Sequence, residues 1–198
     1  MGKKVVAVLG TYRKGGTLDA AVEAILEGAR SKRATTSTIY LSEKHIEFCT
    51  NCRRCTQDAG PERGRCRQKD DLEAILTEIE AADALVMASP VNCGNATALF
   101  RRFMERLIGC TYWPWGQPAP KARSHVHTLQ AALVATSAMP GFLIPIATGT
   151  KTALRTAAKI LGAKPVANLW IGLSAGEADH PPSPRVLARA RRIGMRLV

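Results

Sequence analysis

Short apolar runs alternate with helix-patterned segments along most of this sequence, and that alternation constrains the fold more than any other feature. Residues 5–9 (VVAVL) are uninterrupted apolar sequence, as expected of a strand buried on both faces. The run stops at Gly10, passes through TYRKGG, and gives way to Leu18, Val22, Ile25, Leu26 and Ala29 at helical spacing. Asp19, Glu23 and Glu27 fall off that stripe. Residues 36–41, 84–88, 129–137 and 166–173 read as further strands, that at 84–88 ended by Ser89-Pro90. Helices are predicted where Leu72, Ile75, Leu76 and Ile79 recur, over about 95–108, over about 150–161, and at the C-terminus. Asp70 would cap the first of these, and Gly162 would close the third. Such alternation implies an α/β three-layer sandwich, a five-stranded parallel sheet with helices on both faces. The length suits one domain over residues 1–198, with a cysteine-rich insertion loop at about 49–69. Ligands of such sheets bind beyond the carboxyl ends of the strands, where strand order reverses. The first, third and fourth strand–helix loops are therefore the places to seek function.

The net charge is +12. A basic surface can attract nucleic acid or phosphorylated ligands. Here the positive residues are dispersed, and the C-terminal ones form a stripe, Arg185, Arg189, Arg192 and Arg196, opposite Val186, Ala190, Ile193 and Leu197. That is the pattern of a surface helix lying on a core. No aromatic–basic interleaving accompanies it, so no nucleic-acid partner is expected. No apolar stretch is long enough to span a bilayer, and MGKKVVAVLG leads straight into a strand, so neither a membrane partner nor a signal peptide is expected. Val6 stands where a myristoylation motif needs Ser or Thr. A cytoplasmic location is the expectation.

The first loop, GTYRKGGT from Gly10 to Thr17, resembles a P-loop in which Gly16 replaces the phosphate-binding lysine. Backbone N–H groups still converge on a helix start, where the helix dipole favours an anion. Thr11 and Thr17 would add hydroxyl donors, and Arg13 a fork suited to phosphate oxygens. This equipment suits a single terminal phosphate better than a triphosphate. No G-x-G-x-x-G fingerprint occurs, which disfavours a Rossmann-type NAD site. In the third loop Pro90 stiffens the exit, Gly94 permits close approach to a flat ligand, and Asn92 and Asn95 could meet polar ring edges.

Three segments together carry a family resemblance: GTYRKGGTL (residues 10–18), Cys49, Cys52, Cys55 and Cys66 followed by Asp70-Asp71, and SPVNCGNATALFRRFMER (residues 89–106). In order and spacing they resemble the flavodoxin-like NADPH-dependent FMN reductase family, including its iron–sulfur flavoprotein branch. The resemblance implies bound FMN, reduced by NADPH or NADH and reoxidised by a small acceptor such as a flavin or quinone. Its phosphate would sit on Thr11, Arg13, Gly16, Thr17 and the Leu18 backbone. Its ring would lie against Pro90, Val91, Asn92, Cys93, Gly94 and Asn95, with Thr136, Ser137 and Ala138 over the other edge. A homodimer or homotetramer is implied as well. No acid–base catalytic residue is nominated, because the flavin carries the chemistry. Leu18 stands where the family usually has a hydroxyl residue, and Asn92 where an aromatic is common. Trp113 or Trp115 would supply an aromatic wall instead, or else pack the loop they occupy.

The spacing Cys49-x-x-Cys52-x-x-Cys55, with Cys66 following after ten residues, could hold a 4Fe–4S cluster on four thiolates. Reduced or disulfide-linked thiols and a zinc site are the alternatives. The last gap is longer than family members with clusters usually show, with Gly60, Pro61 and Gly64 available for a return turn. Arg53, Arg54, Arg63, Arg65 and Arg67 could offset a cluster's negative charge. A filled site would make an iron–sulfur electron carrier or redox sensor the alternative function. Cys93 and Cys110 read as packing residues, and His45, His125, His127 and His180 as surface or supporting groups.

Overall fold

The computed structural model describes residues 2–123, 129–176 and 181–198. His125, His127 and His180 lie outside the described residues. In chain order the elements are β1 (Lys4–Leu9), α1 (Thr17–Arg30), β2 (Thr35–Tyr40), α2 (Leu72–Glu80), β3 (Ala84–Asn92), β4 (Asn95–Ala96), α3 (Ala98–Arg106), β5 (Thr111–Tyr112), β6 (Lys121–Ala122), β7 (Leu129–Thr136), α4 (Ile144–Ala147), α5 (Thr150–Ile160), β8 (Ala163–Ile171) and α6 (Pro184–Leu197). Among the described residues no helix is long and apolar enough to cross a membrane.

Five parallel strands form the main sheet in the order β2-β1-β3-β7-β8. This is the flavodoxin-like order, and it reverses between β1 and β3, which opens a crevice over their carboxyl ends. Alternate residues of β1 serve opposite cores, which explains its unbroken apolar sequence. Val6 and Val8 join Leu85, Met87, Leu133, Phe100 and Phe103 on one face. Val5, Ala7 and Leu9 join Val86, Val134, Ile25 and Ile193 on the other. Helices α1 and α6 cover the second face and meet backbone to backbone. A methyl group on Gly28 would stand 2.1 Å from the Arg191 carbonyl oxygen, and one on Gly194 1.8 Å from that of Ile25. Gly194→Leu must therefore push the helices apart. The expected cost is about 3 kcal/mol, a fall of about 6–12 °C in Tm, checked by a thermal melt.

Several predicted boundaries move, among them that of the last strand, which runs from Ala163 to Ile171 instead of over 166–173. β3 does not stop at Ser89-Pro90 but continues to Asn92 and folds back as β4, pairing Val91 with Ala96 and Asn92 with Asn95. The turn residues Cys93 and Gly94 have φ of 47° and 72°, the two positive values that a primed hairpin turn requires. The next helix consequently begins at Ala98 rather than near Asn95, capped by the Thr97 hydroxyl accepting from the Phe100 amide. The stretch from Thr111 to Ala122, predicted as loop over TYWPWGQPAP, holds the paired strands β5 and β6.

Candidate functional site

The first crossover leads from β1 into the N-terminus of α1, where free backbone amides and the helix dipole would favour an anion. Gly16 is its N-cap and provides no side-chain cap. The Arg13 guanidinium lies across this end, with Nη2 3.3 Å from where a Gly16 methyl would be. The Thr11 hydroxyl donates to the Arg13 carbonyl (2.9 Å) and accepts from the Arg13 amide (3.3 Å), so it shapes the loop rather than presenting the free donor expected. Thr97 ties this crossover to the third. Its hydroxyl donates to the Gly10 carbonyl (2.6 Å) and its amide to the Ser89 hydroxyl (3.0 Å), all in the buried interior. In the fourth crossover the Ser137 carbonyl accepts from both the amide and the hydroxyl of Ser174 (3.0 and 3.1 Å), joining the loops after β7 and β8.

These loops border an open cleft of about 330 Å³. Of the residues named for the flavin, Thr11, Arg13, Gly16, Thr17, Leu18, Pro90, Val91, Asn92, Thr136, Ser137 and Ala138 line it. Cys93, Gly94 and Asn95 are not among its lining residues. They form the β3–β4 turn, where the Gly94 carbonyl accepts from the Gly149 amide (2.9 Å) and the Asn95 side chain from the Ala96 amide (2.8 Å). Cys93 is exposed there, not packed. Sequence reasoning missed Tyr12, Asp19, Ser174 and Ala175, which also line the cleft. The pair after β8 had a signal, since it follows the carboxyl end of a sheet strand.

Below this cleft in sequence order lies the cysteine loop. Cys49, Cys52, Cys55 and Cys66 all line one small cavity, together with Arg53, Gln68, Arg106 and Ile108. The long return to Cys66 is fixed at several points. The Gly64 amide donates to the Gly109 carbonyl (2.9 Å). Arg63 pairs with Glu73 and Glu80 on α2. Arg123 donates to the carbonyls of Cys55 (3.0 Å), Asp58 (2.7 Å) and Thr111 (3.0 Å). Trp113 and Trp115 do not reach the cleft. They sandwich the Arg53 guanidinium at 3.8 and 4.3 Å, and Arg53 donates to the Trp113 carbonyl at 2.7 Å. This cation–π contact locks the loop, so the loop-packing reading of the tryptophans is the one observed.

Arg106 and Asp70 form the buried floor, with side chains 1% and 0% exposed. Arg106 donates to Asp70 through both nitrogens (2.6 and 3.3 Å) and to the Glu47 carbonyl (2.7 Å). Asp70 also accepts from the amides of Glu47 (2.8 Å) and of Leu72 (3.1 Å), the first residue of α2, although the N-cap of that helix is Asp71 and not the predicted Asp70. Asp71 accepts from the His45 amide at 2.7 Å. The Asp-Asp pair thus staples the incoming strand of the cysteine loop to the start of α2. Burial pushes the Asp70 carboxyl up, but Arg106 and the two amides outweigh it and hold it below the ordinary range. Among the thiols, the Arg54 amide lowers Cys52 against the opposing effect of burial, helped by Thr50 and Arg67. Burial raises Cys55, and the neighbouring Cys66, Cys49 and Cys52 raise it further, as expected of thiols sharing a cavity. Cys110 is outside that cavity lining, its thiol pushed up to about 12 by burial. Among the described residues no three His, Cys, Asp or Glu side chains are arranged to hold a single metal ion.

The pattern of the NADPH-dependent FMN reductase family matches residues 3–177. The chain belongs to this family. An iron–sulfur flavoprotein of Archaeoglobus fulgidus is 31% identical over 105 residues, 53% of this chain and 46% of the relative. One from Methanosarcina thermophila is 28% identical over 105 residues, 53% of this chain and 52% of the relative. The match therefore spans about half the length of these curated relatives. Among solved structures, the NAD(P)H:quinone oxidoreductase from Methanothermobacter marburgensis superposes with a TM-score of 0.71 at 18% identity, covering all of both chains. That likeness shows the shared flavodoxin-like fold.

Proposed function

We propose that this member of the family holds FMN in the cleft, accepts electrons from NADPH or NADH, and passes them to a small acceptor such as a flavin or quinone. One observation carries the reading. An uncapped helix terminus with a guanidinium across it opens into a cleft bounded by Pro90, Val91 and Asn92 on one side and Ser137 and Ala138 on the other. The α1 amides and Arg13 would hold the phosphate, with Thr17 and the Leu18 backbone beside them. The third and fourth loops would orient the ring, with Thr97 fixing their spacing to the first. Bound FMN supplies hydride and electron transfer; the chain supplies orientation and charge. Assembly as a homodimer or homotetramer belongs to the same proposal.

The cysteine cavity supports a second component. Four thiols line one void, and their spacing, two Cys-x-x-Cys steps sharing Cys52 instead of two separated pairs, suits a 4Fe–4S cluster better than zinc. The names of the curated relatives favour the same reading. With the cluster in place, service as an electron carrier is the alternative to turnover. Steady consumption of NADPH with a quinone or free flavin supports the enzyme; bound, reducible FMN without turnover supports the carrier. Arg13→Met is expected to weaken FMN binding about 10–100-fold, the loss of a charge-assisted hydrogen bond, with Tm unchanged. Unaltered affinity in that variant would remove the phosphate from this loop.

A further inference from the structure

The outer edge of the main sheet runs beside the arginine stripe of α6. β8 ends the strand order, and with α6 it borders an open groove of about 540 Å³ whose lining includes Val166, Asn168, Trp170, Arg189, Arg192 and Arg196. None of these residues lines the cleft over the carboxyl ends of the strands. The Ile171 carbonyl accepts from the Ser137 amide (2.9 Å), so alternate residues from Ile171 face β7, while Asn168 and Trp170 turn their amides outward. The Asn168 carbonyl points the same way and accepts from the Arg189 guanidinium at 3.1 Å. Val166 is 47% exposed beside them. The three arginines are exposed too, and among the described residues none of them pairs with a carboxylate, whereas their neighbour Arg191 takes Glu27.

Like charges gathered along one groove repel, and an anionic partner relieves them. Arg189, Arg192 and Arg196 follow one another at intervals of about 4.5–6 Å along the helix axis. Side chains on one face of an extended chain recur about every 6.6–6.8 Å, within reach of three long arginines in turn. Such a chain also brings carbonyls in strand register to the outward amides of β8, which a nucleic acid does not. A second copy of this chain is a poor occupant, because pairing β8 with β8 about a two-fold axis sets one arginine stripe against the other. We propose that this groove docks an extended acidic segment of another protein, added as a strand to the edge of β8, with acidic side chains at alternate positions meeting Arg189, Arg192 and Arg196. Arg189 then exchanges the Asn168 carbonyl for a carboxylate and opens that carbonyl to the incoming strand. The inference does not depend on the flavin reading.

Fluorescence anisotropy of the full-length chain with a labelled, end-blocked peptide of alternating glutamate and valine tests the proposal. Saturable binding is expected, weakened by salt and tighter than that of a peptide with the same residues grouped in two blocks. The double variant Arg192→Glu, Arg196→Glu should bind at least about tenfold more weakly at unchanged Tm, since both side chains are exposed. Hydrogen exchange reads the strand contact without any substitution: the Asn168 and Trp170 amides should slow when the alternating peptide binds. Absence of saturation, equal affinity for the grouped peptide, indifference to the charge reversal, or unchanged exchange at both amides each overturns the proposal. So does a single-stranded oligonucleotide of equal charge that binds as tightly and loses its affinity in the same double variant, which would make the groove a nucleic-acid site.

Discussion

Arg106→Met is expected to lower Tm by about 10 °C. Its guanidinium and the Asp70 carboxylate are almost wholly inaccessible to water, so removing one strands the other. The usual cost of an uncompensated buried charge is about 3–5 kcal/mol. Arg106→Lys should fall between the two, since an ammonium keeps the charge but cannot bridge Asp70 and the Glu47 carbonyl with a planar fork. The pH dependence has a definite sign. Asp70 is held below the ordinary carboxyl range, so its stabilisation is complete above about pH 4 and disappears as pH falls through the folded value. Melts by circular dichroism should show the wild type and Arg106→Met far apart at about pH 7 and converging as pH falls through the folded Asp70 value, below the ordinary carboxyl range. Parallel curves would mean that the pair contributes nothing.

Gly64→Ala is expected to abolish binding of the proposed cluster while leaving the proposed FMN cleft intact. The added methyl would stand 1.7 Å from the Cys55 carbonyl oxygen, so the backbone must move. The movement breaks the Gly64–Gly109 hydrogen bond and displaces Cys66, two residues on. Iron retention after anaerobic reconstitution should drop about 10–100-fold in affinity, the effect seen when ligand support is lost. FMN binding should be unchanged, because none of these residues lines the cleft. Full iron and sulfide content in the variant would show that the return through Gly64 does not place Cys66.

The legible parts of this molecule are those encoded locally. The apolar run of β1 announces burial on both faces because every side chain in it serves one core or the other. The arginine stripe of α6 is exposed, and Ala190, Ile193 and Leu197 beneath it are buried, as its period requires. The cleft was reachable from two glycine loops and the rule for open sheets. What escaped depends on contacts distant in sequence or on backbone torsions. The partnership of Asp70 with Arg106 spans 36 positions, and that of Arg53 with Trp113 spans 60. The β3–β4 turn uses Cys93 at a positive φ instead of the asparagine or glycine that advertises such a hairpin. Asp19 falls off the apolar stripe of α1 and reads as solvent-facing. It is buried because it lies in the first turn, beside Tyr40 at the end of β2.

The central claim is that the α1 terminus and Arg13 grip the phosphate of a flavin whose ring lies between the third and fourth crossovers. A fluorescence titration of flavin-free protein with FMN, and in parallel with riboflavin, tests it most directly. The account predicts saturable one-to-one quenching by FMN, with riboflavin weaker by at least about tenfold for want of the charge-assisted bonds. Equal affinity for the two flavins, or no quenching by either, would contradict it.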